Sequence, residues 1–134
     1  MAKTLKTRLE IKSWDEKPYR ELEDGRKFNR ADVVLAGTGD GLADATFESL
    51  LYYRPDGTGT YVVLLAITGA LDGRSGSFVL QGEGTYDGTT AASRYSVVEG
   101  SGTGELAGLR GTAESVSTHD DYPHMPLTLK YDIG

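Results

Sequence analysis

Hydrophobic and polar residues alternate along most of this chain, which predicts β-strands rather than helices. In the first such stretch, Leu5, Leu9 and Ile11 fall on one side, and charged residues such as Lys6 and Glu10 fall on the other. A period of two puts one face of a strand against the core. Repeats of this pattern predict eight strands, at residues 5–14, 28–39, 44–54, 58–71, 76–86, 89–98, 112–118 and 126–133.

Short turn motifs separate several of these strands. Pro55-Asp-Gly57, Asp72-Gly73 and Asp87-Gly88 are typical of tight turns, because glycine accepts left-handed backbone angles without steric cost. Residues 15–27 are polar, charged and interrupted by a proline and a glycine, so we expect an exposed loop there. The most apolar strand is 58–71, and we expect it to be buried on both faces for part of its length.

The stretch Gly100–Gly111 fits neither pattern, because five of its twelve residues are glycine. Residues 105–109 are predicted to form about one helical turn, with Leu106 and Leu109 on the same face. We interpret the stretch as a loop that plugs or crosses one end of a β-barrel. Phosphate binding is the alternative, but the stretch contains neither the Walker pattern nor the dinucleotide-binding pattern.

Eight strands joined largely by tight turns predict an all-β fold. We expect residues 1–134 to form a single domain, an eight-stranded, mainly antiparallel β-barrel whose one helical element is the short turn in the glycine-rich loop. Antiparallel strands in this number either close into a barrel or form a sandwich, and consecutive hairpins favour the barrel. A barrel of eight strands has an interior that side chains fill or that holds one small ligand.

The composition narrows the classes of function. The chain contains no cysteine, which excludes disulfides and thiolate chemistry, and its formal net charge of −6 argues against nucleic acid and membranes as partners. No apolar signal segment follows Met1, so we expect a cytoplasmic protein. No cofactor motif is present. Two histidines and two aspartates gather at residues 119–124, but all lie on one short loop, and we expect that loop to be solvated and to bind no metal.

Several motifs resemble those of the DUF3224 family of bacterial proteins of unknown function. They are Tyr53–Gly57, Gly73–Leu80, Gly100–Gly111, Lys12–Glu16 and Tyr131–Asp132, so the resemblance covers nearly the whole chain. It implies a small barrel similar to plant allene oxide cyclase, within the lipocalin-like calycin group. It implies no established activity, because function does not follow from fold alone.

The chain departs from the family pattern in its interior strands. The resemblance implies a Glu-Arg pair at the positions of Leu65 and Ala66, and a histidine at the position of Gly82. Apolar side chains and a glycine in these places favour a more apolar and roomier interior. They also weaken any acid–base mechanism transferred from the family.

Three polar side chains are the candidates for catalysis: Glu48, Tyr53 and Tyr95. In an apolar interior Glu48 would have a raised pKa and could act as a general acid or base, although a solvated, outward position is favoured for a lone glutamate. Tyr53 and Tyr95 fall on the faces assigned to the interior. Their hydroxyl groups either bind a carbonyl or enolate oxygen of a substrate or find partners within a packed core.

The inward positions together predict a cavity for a compact, mostly apolar small molecule, with space left by Gly82 and Gly84. Two functions remain open. One is a cyclase or isomerase that holds a reactive conformer of its substrate, and the other is a non-catalytic barrel with a ligand-binding or structural role. Association into a homo-oligomer is open as well. The predicted ligand-binding residues are Leu51, Val63, Leu65, Phe78, Leu80, Gly82, Val97, Leu129 and Tyr131.

Overall fold

Eight antiparallel strands close into one barrel, as the alternation predicts. The computed structural model describes residues 2–133, and in it each strand pairs with the next along the chain while the last pairs with the first. No helix in this part of the chain is long and apolar enough to cross a membrane. The strands are β1 (Lys3–Glu21), β2 (Lys27–Gly37), β3 (Leu42–Tyr53), β4 (Gly59–Leu71), β5 (Arg74–Tyr86), β6 (Thr90–Val97), β7 (Leu109–Thr118) and β8 (His124–Ile133), with 3₁₀ turns at Gly104–Leu106 and His119–Asp121.

Successive connections alternate between the two ends of the barrel, because every strand runs antiparallel to its neighbours. Residues 22–26, 54–58, 87–89 and 119–123 connect strands at one end, which we call the open end. Residues 38–41, 72–73 and 98–108 connect strands at the other end, which we call the plugged end.

The core consists of the inward side chains of all eight strands. In β4, for example, Val63, Leu65 and Ile67 are buried, whereas Val62 and Leu64 are 53% and 54% exposed. The prediction that this apolar strand is buried on both faces is therefore wrong. A closed barrel is a single layer of sheet, so its outer wall has no second layer to cover it.

The first strand is longer than its sequence indicates. Residues 15–21 continue β1 and pair with β2, so the prediction of an exposed loop at 15–27 is wrong except for the turn at 22–26. β1 pairs with β2 from Leu9 to Glu21 but with β8 only from Lys3 to Glu10. Its second half thus extends past the paired part of β8 and has one free edge. Such an edge tolerates Pro18, which has no N–H to donate, and charged side chains.

A register shift in β1 decides which of its side chains face inward. Lys12 has no partner in β2, because Ile11 pairs with Leu35 while Ser13 pairs with Val34. Before the shift the odd-numbered Thr7 and Leu9 are buried. After the shift the even-numbered residues face inward, since Trp14 and Glu16 pair with the buried Val33 and Ala31.

The glycine-rich loop closes the plugged end, as predicted. Its 3₁₀ turn packs on β5, and both Leu106 and Leu109 are buried. β5 pairs with β6 only from Leu80 onward, so its first half has a free edge. The loop covers that edge with hydrogen bonds: the Thr103 N–H donates to the Ser77 carbonyl (2.9 Å), and the Ser101 hydroxyl accepts from the Val79 N–H (3.1 Å).

Candidate functional site

A cavity of about 340 Å³ occupies the interior toward the open end. Its walls combine aromatic rings with hydroxyl groups, and among the described residues no lysine, arginine, aspartate or glutamate lines it. The lining residues are Ile11, Trp14, Phe47, Ser49, Leu51, Tyr53, Gly59, Thr60, Tyr61, Val63, Tyr86, Ala91, Ser93, Tyr95, Ser115, Ser117, Thr118, His119, Tyr122, His124 and Met125.

Small inward residues on β6 and β7 create the space. Ser93 and Ser115 are cross-strand partners, both buried, and Ser117 follows at the next inward position of β7. In the plugged half, inward positions carry Leu65, Leu80 and similar large side chains that fill the barrel. The cavity therefore exists because small serine side chains, and not large aliphatic ones, occupy the inward positions on this side of the interior.

Two tyrosines form a neutral hydrogen-bonding cluster with Ser93. The Tyr61 hydroxyl lies 2.5 Å from the Ser93 hydroxyl oxygen. Burial raises the pKa of Tyr61, and it raises the pKa of Tyr95 to about 12. Both hydroxyl groups keep their protons at neutral pH, since even an unshifted tyrosine has a pKa of about 10 and burial penalises the phenolate further. Protonated hydroxyls of this kind can donate to, or accept from, a polar group on a ligand.

Glu16 is an inward carboxylate next to the cavity. It accepts hydrogen bonds from the Trp14 indole N–H (3.0 Å), the Asn29 amide (2.7 Å) and the Tyr53 hydroxyl (3.1 Å). Burial, and then the charge of Glu16, raise the pKa of Tyr53. Asn29 is buried, and its side-chain oxygen has no hydrogen-bond partner within residues 2–133.

Sequence reasoning missed Glu16 because the charged run 15–21 was interpreted as a loop. The signal that could have found it is the pair of aromatic residues that bracket the run, Trp14 and Tyr19. Alternation along β1 alone would have placed Glu16 on the outer face, because the unpaired Lys12 reverses which residues face inward after it.

The loop between β7 and β8 forms part of the cavity rim. The Tyr86 hydroxyl donates to the Gly88 carbonyl (2.8 Å) and accepts from His119 Nε2 at 2.9 Å, which requires a proton on that nitrogen. Thr118 and Asp121 form a capping box on the 3₁₀ turn. Within residues 2–133, no group of three or more histidine, aspartate or glutamate side chains is arranged to hold a metal ion.

Of the candidate catalytic residues, the structure brings Tyr53 and Tyr95 to the cavity but not Glu48. Glu48 lies on the outer wall, where its side chain is 67% exposed and forms an ion pair with Arg30 (3.3 Å). This is the outward position that the alternation favours. Glu48 therefore has no contact with the cavity, whereas Glu16 is hydrogen-bonded to the lining residues Trp14 and Tyr53.

Of the predicted ligand-binding residues, only Leu51 and Val63 line the cavity. The others except Val97 and Gly82 are buried in the packed core, and Val97 packs against that core while partly exposed. They lie where large inward side chains leave no space. The five that belong to the packed core are Leu65, Phe78, Leu80, Leu129 and Tyr131.

The prediction that Gly82 and Gly84 leave room inside the barrel is wrong. A Cβ atom at Gly82 would overlap the carbonyl oxygen of Arg94 and lie 2.7 Å from the Tyr95 ring. At Gly84, a Cβ atom would meet the Tyr61 ring in the same way. The two glycines instead allow aromatic rings to pack directly over the β5 backbone, a known way of protecting glycine within a strand.

A second concavity lies on the outer wall, with a volume of about 940 Å³. Exposed apolar side chains such as Leu50, Val62 and Leu64 and charged ones such as Arg30 and Glu83 line it. It is a shallow groove open to solvent. The inner cavity is the stronger candidate site, because it combines apolar enclosure with convergent polar groups.

Comparisons with known proteins identify relatives of unknown function. A family model described as "Protein of unknown function (DUF3224)" matches residues 5–131. A crystal structure of a DUF3224 protein of unknown function from Shewanella oneidensis MR-1 is similar to this chain, with 26% sequence identity and a TM-score of 0.75. The match covers 98% of this chain and 99% of that one. No curated protein matches.

Proposed function

Since the chain belongs to the DUF3224 family of proteins of unknown function, we propose a function from its cavity: it binds one compact, mostly apolar small molecule at the open end. The observation that carries this proposal is the interior space of about 340 Å³, lined by seven aromatic side chains and by serine and threonine hydroxyls. Ligand pockets commonly have this volume and combine an apolar wall with a few polar groups.

Hydroxyl groups would orient the part of the ligand that lies inside the cavity. The protonated Tyr61 and Tyr95 and the neighbouring Ser93 provide donors and acceptors on one wall, and Leu51 and Val63 provide apolar contact on another. A sugar or a nucleotide would bury more polar groups than this lining can satisfy. A compact hydrophobic molecule with one or two oxygen or nitrogen atoms fits it best.

Catalysis of a cyclisation or isomerisation is the second candidate. The hydrogen bond between Tyr53 and Glu16 favours it, because the carboxylate fixes the phenol oxygen of Tyr53 at the cavity wall, where that oxygen can orient a reacting group. The barrel would hold one conformer of a flexible substrate. The likeness to allene oxide cyclase, which suggests this chemistry, stays a prediction.

Titration with the uncharged fluorophore N-phenylnaphthylamine tests the binding proposal. Ser117→Phe places a ring in the cavity and should weaken probe binding by about tenfold or more, because it fills the volume that the probe needs. The matched control is Val116→Phe at the adjacent, 58% exposed position, which should leave binding unchanged. Both variants should have melting temperatures within a few degrees of the parent chain. Equal loss of binding in both would contradict the proposal.

Native mass spectrometry of the purified protein would separate the two functions. If the protein is a binding module, a co-purified molecule is released unchanged after incubation. If it is an isomerase or cyclase, chromatography will resolve a product of the same mass, and Tyr53→Phe will retain binding but lose conversion.

A further inference from the structure

We propose that the molecule bound at the open end carries a positively charged amine, held between the aromatic rings at the cavity mouth and the Glu16 carboxylate. This inference rests on the proposed function, since it names the chemical class of the ligand for the same cavity. Three features of the mouth carry it: a carboxylate without a lysine or arginine partner, aromatic rings around it, and a lining without lysine or arginine.

The first feature is the state of the Glu16 carboxylate. Its three hydrogen bonds come from an indole, an amide and a phenol, all of which are neutral. Among residues 2–133, no lysine or arginine forms an ion pair with it. The three donors fix the position of the carboxylate and leave its negative charge without a counter-ion. A carboxylate that is partly removed from water in this way gains from an approaching cation.

The second feature is the arrangement of rings in front of this carboxylate. Trp14 and Tyr53 both line the cavity and both donate to Glu16, so the charge lies one hydrogen bond behind the wall. Phe47 contacts Trp14 edge-on, with 5.5 Å between ring centroids, and Tyr122 completes the rim. Aromatic faces attract ammonium groups, most strongly where water is excluded.

One cationic side chain of the protein already makes a cation–π contact with a ring of the mouth. Lys27 Nζ lies 5.4 Å from the centroid of the Tyr53 ring, and Lys27 does not line the cavity. The ring therefore accepts a cation in the protein as it stands. A ligand amine would share this electrostatic environment from the inside, and Lys27 would oppose it by like-charge repulsion.

The third feature disfavours an anionic ligand. The basic groups of the described lining are two histidines, of which His119 is already hydrogen-bonded to Tyr86 at the rim. A carboxylate or phosphate in the cavity would find no lysine or arginine among the described lining residues, and it would approach a chain of net charge −6. The inner polar groups are hydroxyls, which serve a neutral end of the ligand equally well. The favoured ligand is thus amphipathic: an apolar or aromatic body directed inward and an ammonium group at the mouth.

Trp14 provides the reporter for a test, because it is the one tryptophan in the chain and it lines the mouth. Three probes of similar shape should be titrated at neutral pH while Trp14 fluorescence is followed: phenylethylamine, phenylethanol and phenylacetate. We expect the amine to bind about tenfold more tightly than the alcohol, and the acid to bind most weakly. Calorimetric titration should confirm each affinity independently of the fluorophore.

Two variants and one control sharpen the result. Glu16→Gln should remove the preference for the amine and leave alcohol binding within about twofold of the parent chain, because it deletes the charge but keeps a hydrogen-bond acceptor. Lys27→Gln should strengthen amine binding by about two- to threefold by removing a competing cation. Glu99→Gln, at an exposed position of the plugged end, changes the net charge equally and should change neither affinity.

Equal affinities for amine and alcohol, or a preference for the amine that persists in Glu16→Gln, would overturn this inference while the binding proposal stands. Absence of binding by all three probes in the calorimeter, together with no response to N-phenylnaphthylamine, would overturn the binding proposal as well. A preference for the amine that Glu16→Gln abolishes and Glu99→Gln preserves would support both.

Discussion

Each end of this barrel contains an unpaired strand edge, and the two ends differ in what lies beside that edge. At each end one strand runs beyond its neighbour and leaves a free edge: β5 at the plugged end and β1 at the open end. The glycine-rich loop covers the edge of β5 with backbone and hydroxyl hydrogen bonds and inserts Leu106 into the core. At the open end, β1 extends past β8 and carries Trp14 and Glu16 over a cavity.

The difference teaches where stability and chemistry are located in the molecule. The plugged end buries large aliphatic side chains in full contact, which contributes most of the hydrophobic stabilisation per residue. The open end has less of this contact, because the cavity occupies part of its interior, and polar and titratable groups lie around the cavity. Substitutions at the plugged end should therefore affect folding, and substitutions at the open end should affect binding with a smaller cost in stability.

The largest expected effect comes from truncating the plug. Leu106→Ala should lower the free energy of unfolding by about 3–5 kcal/mol, because Leu106 is fully buried and its neighbours cannot collapse into the vacated space. Leu51→Ala, at a residue that already borders a cavity, should cost about 2 kcal/mol. Urea unfolding of both variants measures the difference. Equal losses would mean that the two ends are packed equally well.

A smaller effect is expected from alanine at two glycines with positive φ. Gly57, in the turn between β3 and β4 at the open end, has φ +87° and open space around it, so Gly57→Ala should cost about 1–2 kcal/mol of backbone strain. Gly104 in the plug has φ +60°, and a Cβ atom there would lie 2.9 Å from the Ser75 carbonyl oxygen. Gly104→Ala should therefore cost about 2–3 kcal/mol. A larger shift in melting temperature for Gly57→Ala would contradict this ranking.

The smallest expected effect is a loss of stability that is absent at neutral pH and develops in alkaline solution. Burial raises the pKa of Tyr95 from its ordinary value of 10.0 to about 12, so the folded state retains a proton that the unfolded state loses. The stability from this group is complete below pH 10 and disappears as the pH rises through about 12. In Tyr95→Phe the stability should fall less steeply over this interval, whereas the exposed Tyr19→Phe should match the parent chain. The free energy of unfolding of all three proteins should be measured at several alkaline pH values. Identical slopes of this free energy against pH would contradict the prediction.

Much of the fold could be predicted from the sequence, because alternation and turn chemistry are local signals. The eight strands, the tight turns and the plug with buried Leu106 and Leu109 all follow from patterns within about twelve residues. The limits of β1 could not be predicted in the same way. Residues 15–21 form a strand only because β2 offers them a partner, which is a long-range contact and not a local preference.

The site was harder to predict than the fold, since a cavity depends on which inward side chains meet across the barrel. Alternation assigned Leu51, Tyr53, Val63 and Tyr95 to the interior, and these four line the cavity. Alternation could not show that residues such as Leu65 and Leu80 lie in a packed half while Ser93 and Ser115 lie beside an open one. That distinction requires the register between strands distant in sequence.

The unpaired Lys12 has a consequence for how such a barrel changes during evolution. The extra residue keeps the pairs on both sides of it in place, so Ile11 and Trp14 both lie opposite inward residues of β2, Leu35 and Val33. Removing Lys12 would leave these pairs unchanged, and Trp14 and Glu16 would stay on the inner face. If Lys12 instead paired with Val34, Ser13 and Asp15 would take the inward positions that Trp14 and Glu16 now occupy. The position of this one-residue bulge therefore decides which side chains face the cavity mouth, and it is the feature to compare among relatives that share the plug and the core.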